Sequence, residues 1–246
     1  TIAQGVAYLL VMYVCALMTD LYSLYASPKN EWIVRNRRKE AWLFVGSTLL
    51  GMIFLFVRYA SAIHWDSLNP IIKLSLIPLM LFVFPIALAI MFLFMKYKPA
   101  DLGLRFQGLI VVLPIVFLCA ITSYVVSPQA FTWNALLESE GGIAGVLFNG
   151  FIVAGLSEEF YRVIGQTRIG ALLQNKGIGW LLATFLWAGL HAPKWYGDSH
   201  DWNEAIFGVI RIMPIGLMWG YVTHRTKSFL PSVLIHGMNV WGIQNF

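Results

Sequence analysis

Residues 142–163 read GIAGVLFNGFIVAGLSEEFYRV, and the fold turns on how that stretch is taken. Its first fifteen residues carry no charge, while Ser157, Glu158, Glu159 and Arg162 crowd its end. A helix at a water-facing surface would show a polar stripe along its whole length. This stretch has none, and about 20 apolar residues are what a helix needs to cross a bilayer. It is read as a membrane span that keeps its polar residues at one end.

Further runs of the same character lie near 2–25, 41–63, 71–95, 106–126, 177–192, 204–223 and 229–246. The expectation is an all-α, polytopic transmembrane helix bundle of about eight helices, forming a single membrane-embedded domain over residues 1–246. Composition points the same way. Of the 246 residues 59% are hydrophobic and only 12% charged, against about a quarter charged in a soluble domain. Ten Trp, ten Tyr and seventeen Phe suit interfacial belts and lipid-facing helices. Unbroken apolar runs argue against an outer-membrane barrel, whose strands alternate in polarity. The chain opens on Thr1 inside apolar sequence, so residues preceding it are expected.

The formal charge of +5 would suggest a nucleic-acid partner in a soluble protein. Here thirteen of the seventeen basic residues fall at alternate span junctions, the first of them KNEWIVRNRRKE at 29–40. Such a bias orients a membrane protein with its basic loops in the cytoplasm and, in this chain, both termini on the other side. The expected location is the cell membrane, with no nucleic acid bound. Residues 127–141 are expected to form an interfacial cap. The segment VIGQTRIGALLQNK at 163–176 is expected to be an amphipathic helix on the cytoplasmic surface. Cys15 and Cys119, far apart in apolar runs, are read as packed thiols rather than a disulfide framework or a CxxC metal site.

Ionisable groups inside spans are costly and therefore informative. Each of the last four spans contributes one: Glu158 and Glu159, His191, Arg211, and His236 with Asn239. Glu158 is four residues from Arg162 and Glu159 three, so either carboxylate can reach that guanidinium, and only one can claim it fully. The other is free to act as a general base. His236 and Asn239, three apart, present an imidazole and an amide on one face. An acid, two imidazoles and an amide converging in a wet cavity would activate water and stabilise an oxyanion, which is the chemistry of amide hydrolysis. The same residues also suit a structural ion pair or a proton relay. Arg211 is expected to face the bundle beside a buried carboxylate or to snorkel. His64, His200 and His224 are assigned to loops.

The motif pieces SEEFYR at 157–162, WAGLH at 187–191 and HGMN at 236–239 resemble the CPBP family, the type II CAAX prenyl endopeptidases and bacteriocin-processing or immunity proteins also called Abi. The likeness spans about residues 142–246. The family pattern is Glu-Glu-x-x-x-Arg, Phe-x-x-x-His and His-x-x-x-Asn or Asp. This chain is one residue shorter in the first and third motifs and has Trp187 for the Phe. The resemblance implies an intramembrane protease in which Glu158 activates water, His191 orients it, and His236 with Asn239 binds the oxyanion. Glu159, Arg162, Trp187 and Arg211 would support that site. It also implies a membrane-anchored or membrane-embedded peptide as substrate. Glu158, His191 and His236 are the candidate ligands for a divalent metal such as zinc, although the HExxH spacing is absent. The shortened motifs leave open a catalytically silent scaffold or immunity protein of the same fold, and the intramembrane charges leave open a small transporter.

Overall fold

The computed structural model describes residues 2–26, 31–59, 85–126 and 141–238. The expected interfacial cap over 127–140, His64, Asn239 and the early part of the 71–95 span lie outside them. Among the described residues the fold is all-α. In chain order α1 is Ile2–Ala26, α2 Arg37–Tyr59 and α3 Pro85–Phe94. Two 3-10 turns, Pro99–Leu102 and Leu109–Val111, lead into α4 at Val112–Val126. Then α5 (Ile143–Leu147) runs through a π-helix (Phe148–Glu158) into α6 (Glu159–Leu172). The chain continues with α7 (Lys176–Gly189), α8 (Ala192–Ser199), α9 (Trp202–Thr226) and α10 (Leu230–Met238). Four stretches are long and apolar enough to cross a membrane: Gly5–Ala26, Arg37–Tyr59, Ile143–Leu172 and Trp202–Thr226.

The chain divides into two compact units. One comprises Thr1–Ile33, Pro99–Val163 and Met218–Phe246, the other Val34–Lys98 and Ile164–Leu217.

In the first unit, α1 buries Val11, Met12, Cys15 and Thr19, a stripe at helical spacing, and leaves Leu9, Leu10, Tyr13, Leu17 and Leu24 exposed. That is the reverse of a soluble helix and suits an outer face solvated by lipid. The Thr19 hydroxyl donates to the Cys15 carbonyl at 2.8 Å, so its burial leaves no orphan donor. Cys15 meets Cys119 of α4, and both are buried free thiols joined by a hydrogen bond. Glycines Gly145, Gly150 and Gly155 recur every five residues. In a π-helix, whose hydrogen bonds run from i to i+5, that spacing gathers them towards one face. α10 lies on it: a Cβ at Gly155 would stand 2.7 Å from the Val233 carbonyl oxygen, and one at Gly237 3.0 Å from that of Gly150. Only glycine permits so close an approach.

The second unit shows the same logic. α2 buries Glu40, Ala41, Phe44 and Thr48 and exposes Trp42, Leu49, Leu50 and Ile53. α6 meets α7 through Gly170 and Gly179, where a Cβ on Gly179 would stand 2.5 Å from the Gly170 Cα. Asn175 caps α7 by accepting from the Ile178 N–H at 3.0 Å.

Two expectations are corrected. Residues 163–170 do not form a surface helix. They continue the membrane-length helix, and Gln166, Thr167 and Arg168 are buried. Their polarity is absorbed internally, as Arg168 Nε bonds Glu40 Oε2 at 3.1 Å and its Nη1 donates to Thr167 Oγ1 at 2.7 Å. Arg211 is exposed on α9 and makes no ion pair among the described residues, which leaves the snorkelling alternative. His224, expected in a loop, belongs to the last turn of α9.

Candidate active site

The π-helix ends where the acidic pair begins. The Glu159 N–H already bonds the carbonyls of Gly155 and Leu156, so ordinary helical register returns at that residue. The two neighbouring carboxylates therefore leave the helix in different surroundings. Glu159 is almost fully buried, with its side chain 1% exposed, whereas that of Glu158 is 27% exposed.

Glu159 claims the arginine. Its Oε2 pairs with Arg162 Nη2, three residues on. Its Oε1 stands 2.9 Å from His236 Nδ1, brought in by α10. A carboxylate held by a guanidinium is an acceptor, so Nδ1 carries the proton and the imidazole is fixed by that bond. The opposite nitrogen, Nε2, faces Glu158 Oε2 at 3.9 Å. That gap exceeds a direct hydrogen bond and leaves the acid and the ring nitrogen bordering the same space.

Trp219, which the sequence reading did not single out, completes the setting. Its ring stacks on His236 with centroids 3.7 Å apart and planes at 20°. The Arg162 guanidinium lies over the same indole at 5.4 Å. Four buried side chains thus form a closed circuit of Glu159, Arg162, Trp219 and His236. Ser232, one turn before His236, donates to the Trp219 carbonyl at 2.8 Å, and Thr223 meets the Ser232 hydroxyl at 2.8 Å. With its proton spent on the carbonyl, Ser232 is the acceptor and Thr223 the donor. The sequence signal for Ser232 was its i, i+4 spacing from His236. Trp219 offered none, since an indole in an apolar run reads as lipid-facing.

His191 belongs to the second unit, at the junction of α7 and α8. Its Nδ1 lies 3.1 Å from the Trp187 carbonyl, which only accepts, so Nδ1 is again the protonated nitrogen. The ring stands edge-on to Trp187 (5.1 Å) and stacks on Trp195 (5.7 Å). Trp187 is itself packed against Gly216 of α9, where a Cβ would come within 2.5 Å of its ring. The indole in place of phenylalanine therefore has a glycine to receive it.

Among the described residues no three His, Cys, Asp or Glu side chains are placed together to hold a metal ion. Within the cluster Glu159 is engaged by Arg162 and by His236 Nδ1, which leaves Glu158 and one ring nitrogen as donors. This donor set does not fit zinc.

Residues 140–242 match the Rce1-like family model, described as type II CAAX prenyl endopeptidase Rce1-like. That segment is similar to the Rce1-like family. The match encloses Glu158, Glu159, Arg162, His191 and His236, and it agrees with the CPBP resemblance carried by the three motifs. No curated protein and no solved structure matches the chain. The four membrane-length apolar helices and the similarity of residues 140–242 to that family fit an integral membrane protein.

Proposed function

We propose that the protein is an intramembrane endopeptidase that hydrolyses a peptide bond in a membrane-associated substrate by means of a glutamate-activated water. The observation that carries the reading is the orientation of His236: Nδ1 is tied to the Glu159–Arg162 pair and Nε2 is turned towards the more open Glu158. In this reading Glu158 takes the proton of a water as the water attacks the scissile carbonyl. His236, in its protonated form, offers Nε2–H to the developing oxyanion, a role shared with Asn239. By the family resemblance, His191 orients the water or shares its proton. Glu159 and Arg162 hold the ring and touch no substrate.

The shortened first motif is compatible with this arrangement. In α6 a residue three positions on lies on the same helix face as one four positions on, so Arg162 still reaches Glu159. The chemistry needs water at depth, hence a hydrated cavity open to the cytoplasm or sideways to lipid. A lipid-anchored peptide, including a prenylated CAAX tail or a leader peptide, fits such an entrance. The distribution of basic loops supports a site that faces the cytoplasm of the cell membrane.

The test is cleavage of a prenylated fluorogenic peptide by the protein reconstituted in vesicles. Glu158→Ala and His236→Ala are each expected to lower the rate by about 10²–10⁴-fold, the range of general acid–base and oxyanion contributions. Full activity in either variant would contradict the assignment. A wild-type protein that binds the peptide without cutting it would favour the silent scaffold. Ion or solute flux across the same vesicles would favour the transporter.

A further inference from the structure

The second unit carries six exposed basic residues that chain order keeps apart and the fold brings together. Arg35, Arg37, Arg38 and Lys39 lead into α2, and Lys96 and Lys98 follow α3. The guanidinium of Arg35 donates to the carbonyls of Met95 (3.1 Å) and Lys96 (2.8 Å). Its backbone N–H donates to the Tyr97 hydroxyl at 2.8 Å, and its charge lies over the Tyr97 ring at 4.8 Å. The two segments are thereby stitched into one surface.

Within residues 34–40 and 95–98 the one acid, Glu40, is withdrawn from that surface, while Glu31, exposed just before them, stands 4.0 Å from Lys227. Glu40 is fully buried and accepts from the backbone N–H groups of Arg35 (2.9 Å) and Asn36 (2.7 Å), from the Tyr97 hydroxyl (2.6 Å) and from Arg168 (3.1 Å). A carboxylate that sequence would set among the arginines faces inward instead, and the outer face keeps one sign. Directly beside it stand exposed apolar side chains, Trp42 at 68%, Leu93 at 52% and Phe94 at 83%. α2 is itself long and apolar enough to cross a membrane. The patch therefore borders the level at which hydrocarbon gives way to headgroups.

We infer that this patch binds anionic phospholipid headgroups, with the acyl chains running along Trp42, Leu93 and Phe94. Membrane orientation alone would be served by basic residues anywhere in these loops. It does not require that two loops be joined or that the carboxylate beside Lys39 be buried. A concentrated cationic face continuous with an apolar one suits a ligand that offers a phosphate and hydrocarbon together. An acidic peptide would leave the apolar border without a partner.

The test uses the full chain in phosphatidylcholine vesicles doped with spin-labelled phosphatidylglycerol or spin-labelled phosphatidylcholine, reading the motionally restricted fraction of each. The expected result is a preference for phosphatidylglycerol of about fivefold, the factor for one basic side chain near the surface. It should fall towards one in the Arg37→Gln/Arg38→Gln/Lys39→Gln variant and on raising salt, with the melting temperature unchanged. A Lys96→Gln/Lys98→Gln variant should weaken it too, because the second segment belongs to the same face. Equal restriction of the two lipids by the wild type would overturn the inference, as would a preference that survives the triple variant or is indifferent to the Lys96 and Lys98 changes. Displacement by soluble glycerophosphate, or by a polyglutamate peptide, at concentrations matching the labelled lipid would also overturn it, since the site would then not need acyl chains.

Discussion

Among the described residues two buried carboxylate–arginine pairs occur, one in each unit, and they are finished in different ways. Glu40 with Arg168 is closed: four donors converge on the carboxylate, two of them backbone N–H groups, and Arg168 is also covered by the rings of Phe92 (4.7 Å) and Tyr97 (5.2 Å). Glu159 with Arg162 is open at one end, because Glu159 passes its second oxygen to His236 and the far side of that ring meets Glu158. The same two residue types thus serve as a fastening in one place and as the support of a reactive group in the other. What separates them is the third partner. A phenol that donates completes the set, whereas an imidazole has a second nitrogen to use.

The comparison can be broken by experiment. Arg168→Met leaves Glu40 as a buried charge and is expected to cost about 3–5 kcal/mol in unfolding measured in detergent, with most of it recovered in the Glu40→Leu/Arg168→Met double variant. If the single change were harmless, the closed pair would not be a fastening. Tyr97→Phe removes one donor to Glu40 and is expected to cost about 2 kcal/mol. It also carries a pH signature. Burial, and then the bond to Glu40, raise the Tyr97 phenol above its ordinary value of 10.0. A pKa raised in the folded state means that stability is fully present below 10.0 and is lost as pH climbs through the folded value. Melting temperatures taken from about pH 8 to about pH 11 should show an alkaline fall in the wild type that is shallower in Tyr97→Phe. The smallest effect is on the open pair. Trp219→Phe keeps an aromatic ring on His236 with less overlap and should lower turnover by about 1 kcal/mol of barrier, while Trp219→Leu removes the stack altogether. Equal turnover in all three proteins would show that stacking does not hold the imidazole.

Much of the bundle was legible because a bilayer makes few demands and makes them plainly. Apolar length marks α1, α2, α9 and the long helix that begins at Ile143, and the acidic pair, His191 and His236 stood out because charge inside such runs is rare. Apolar content carries no depth, however, and this is why Arg168, Gln166 and Thr167 were placed on the surface. The carboxylate that takes Arg168, Glu40, lies more than a hundred residues away in a loop that reads as solvated. The π-helix was hidden for a similar reason. Its signal, glycines at 145, 150 and 155, is a period of five. A search for helical periodicity near 3.6 passes over it. Which carboxylate takes Arg162 was also beyond spacing, since both offsets share a face and the choice follows from the return to ordinary register at Glu159.

The most direct test sets the two carboxylates of contrasting surroundings side by side as isosteric variants, Glu158→Gln and Glu40→Gln, and reads both peptide cleavage in vesicles and melting temperature in detergent. The predicted outcome is a crossing: Glu158→Gln loses cleavage by about 10³-fold and melts like the wild type, while Glu40→Gln melts several degrees lower and still cleaves wherever it remains folded. Wild-type cleavage by Glu158→Gln, or loss of cleavage by a folded Glu40→Gln, would contradict the division between reactive end and fastening.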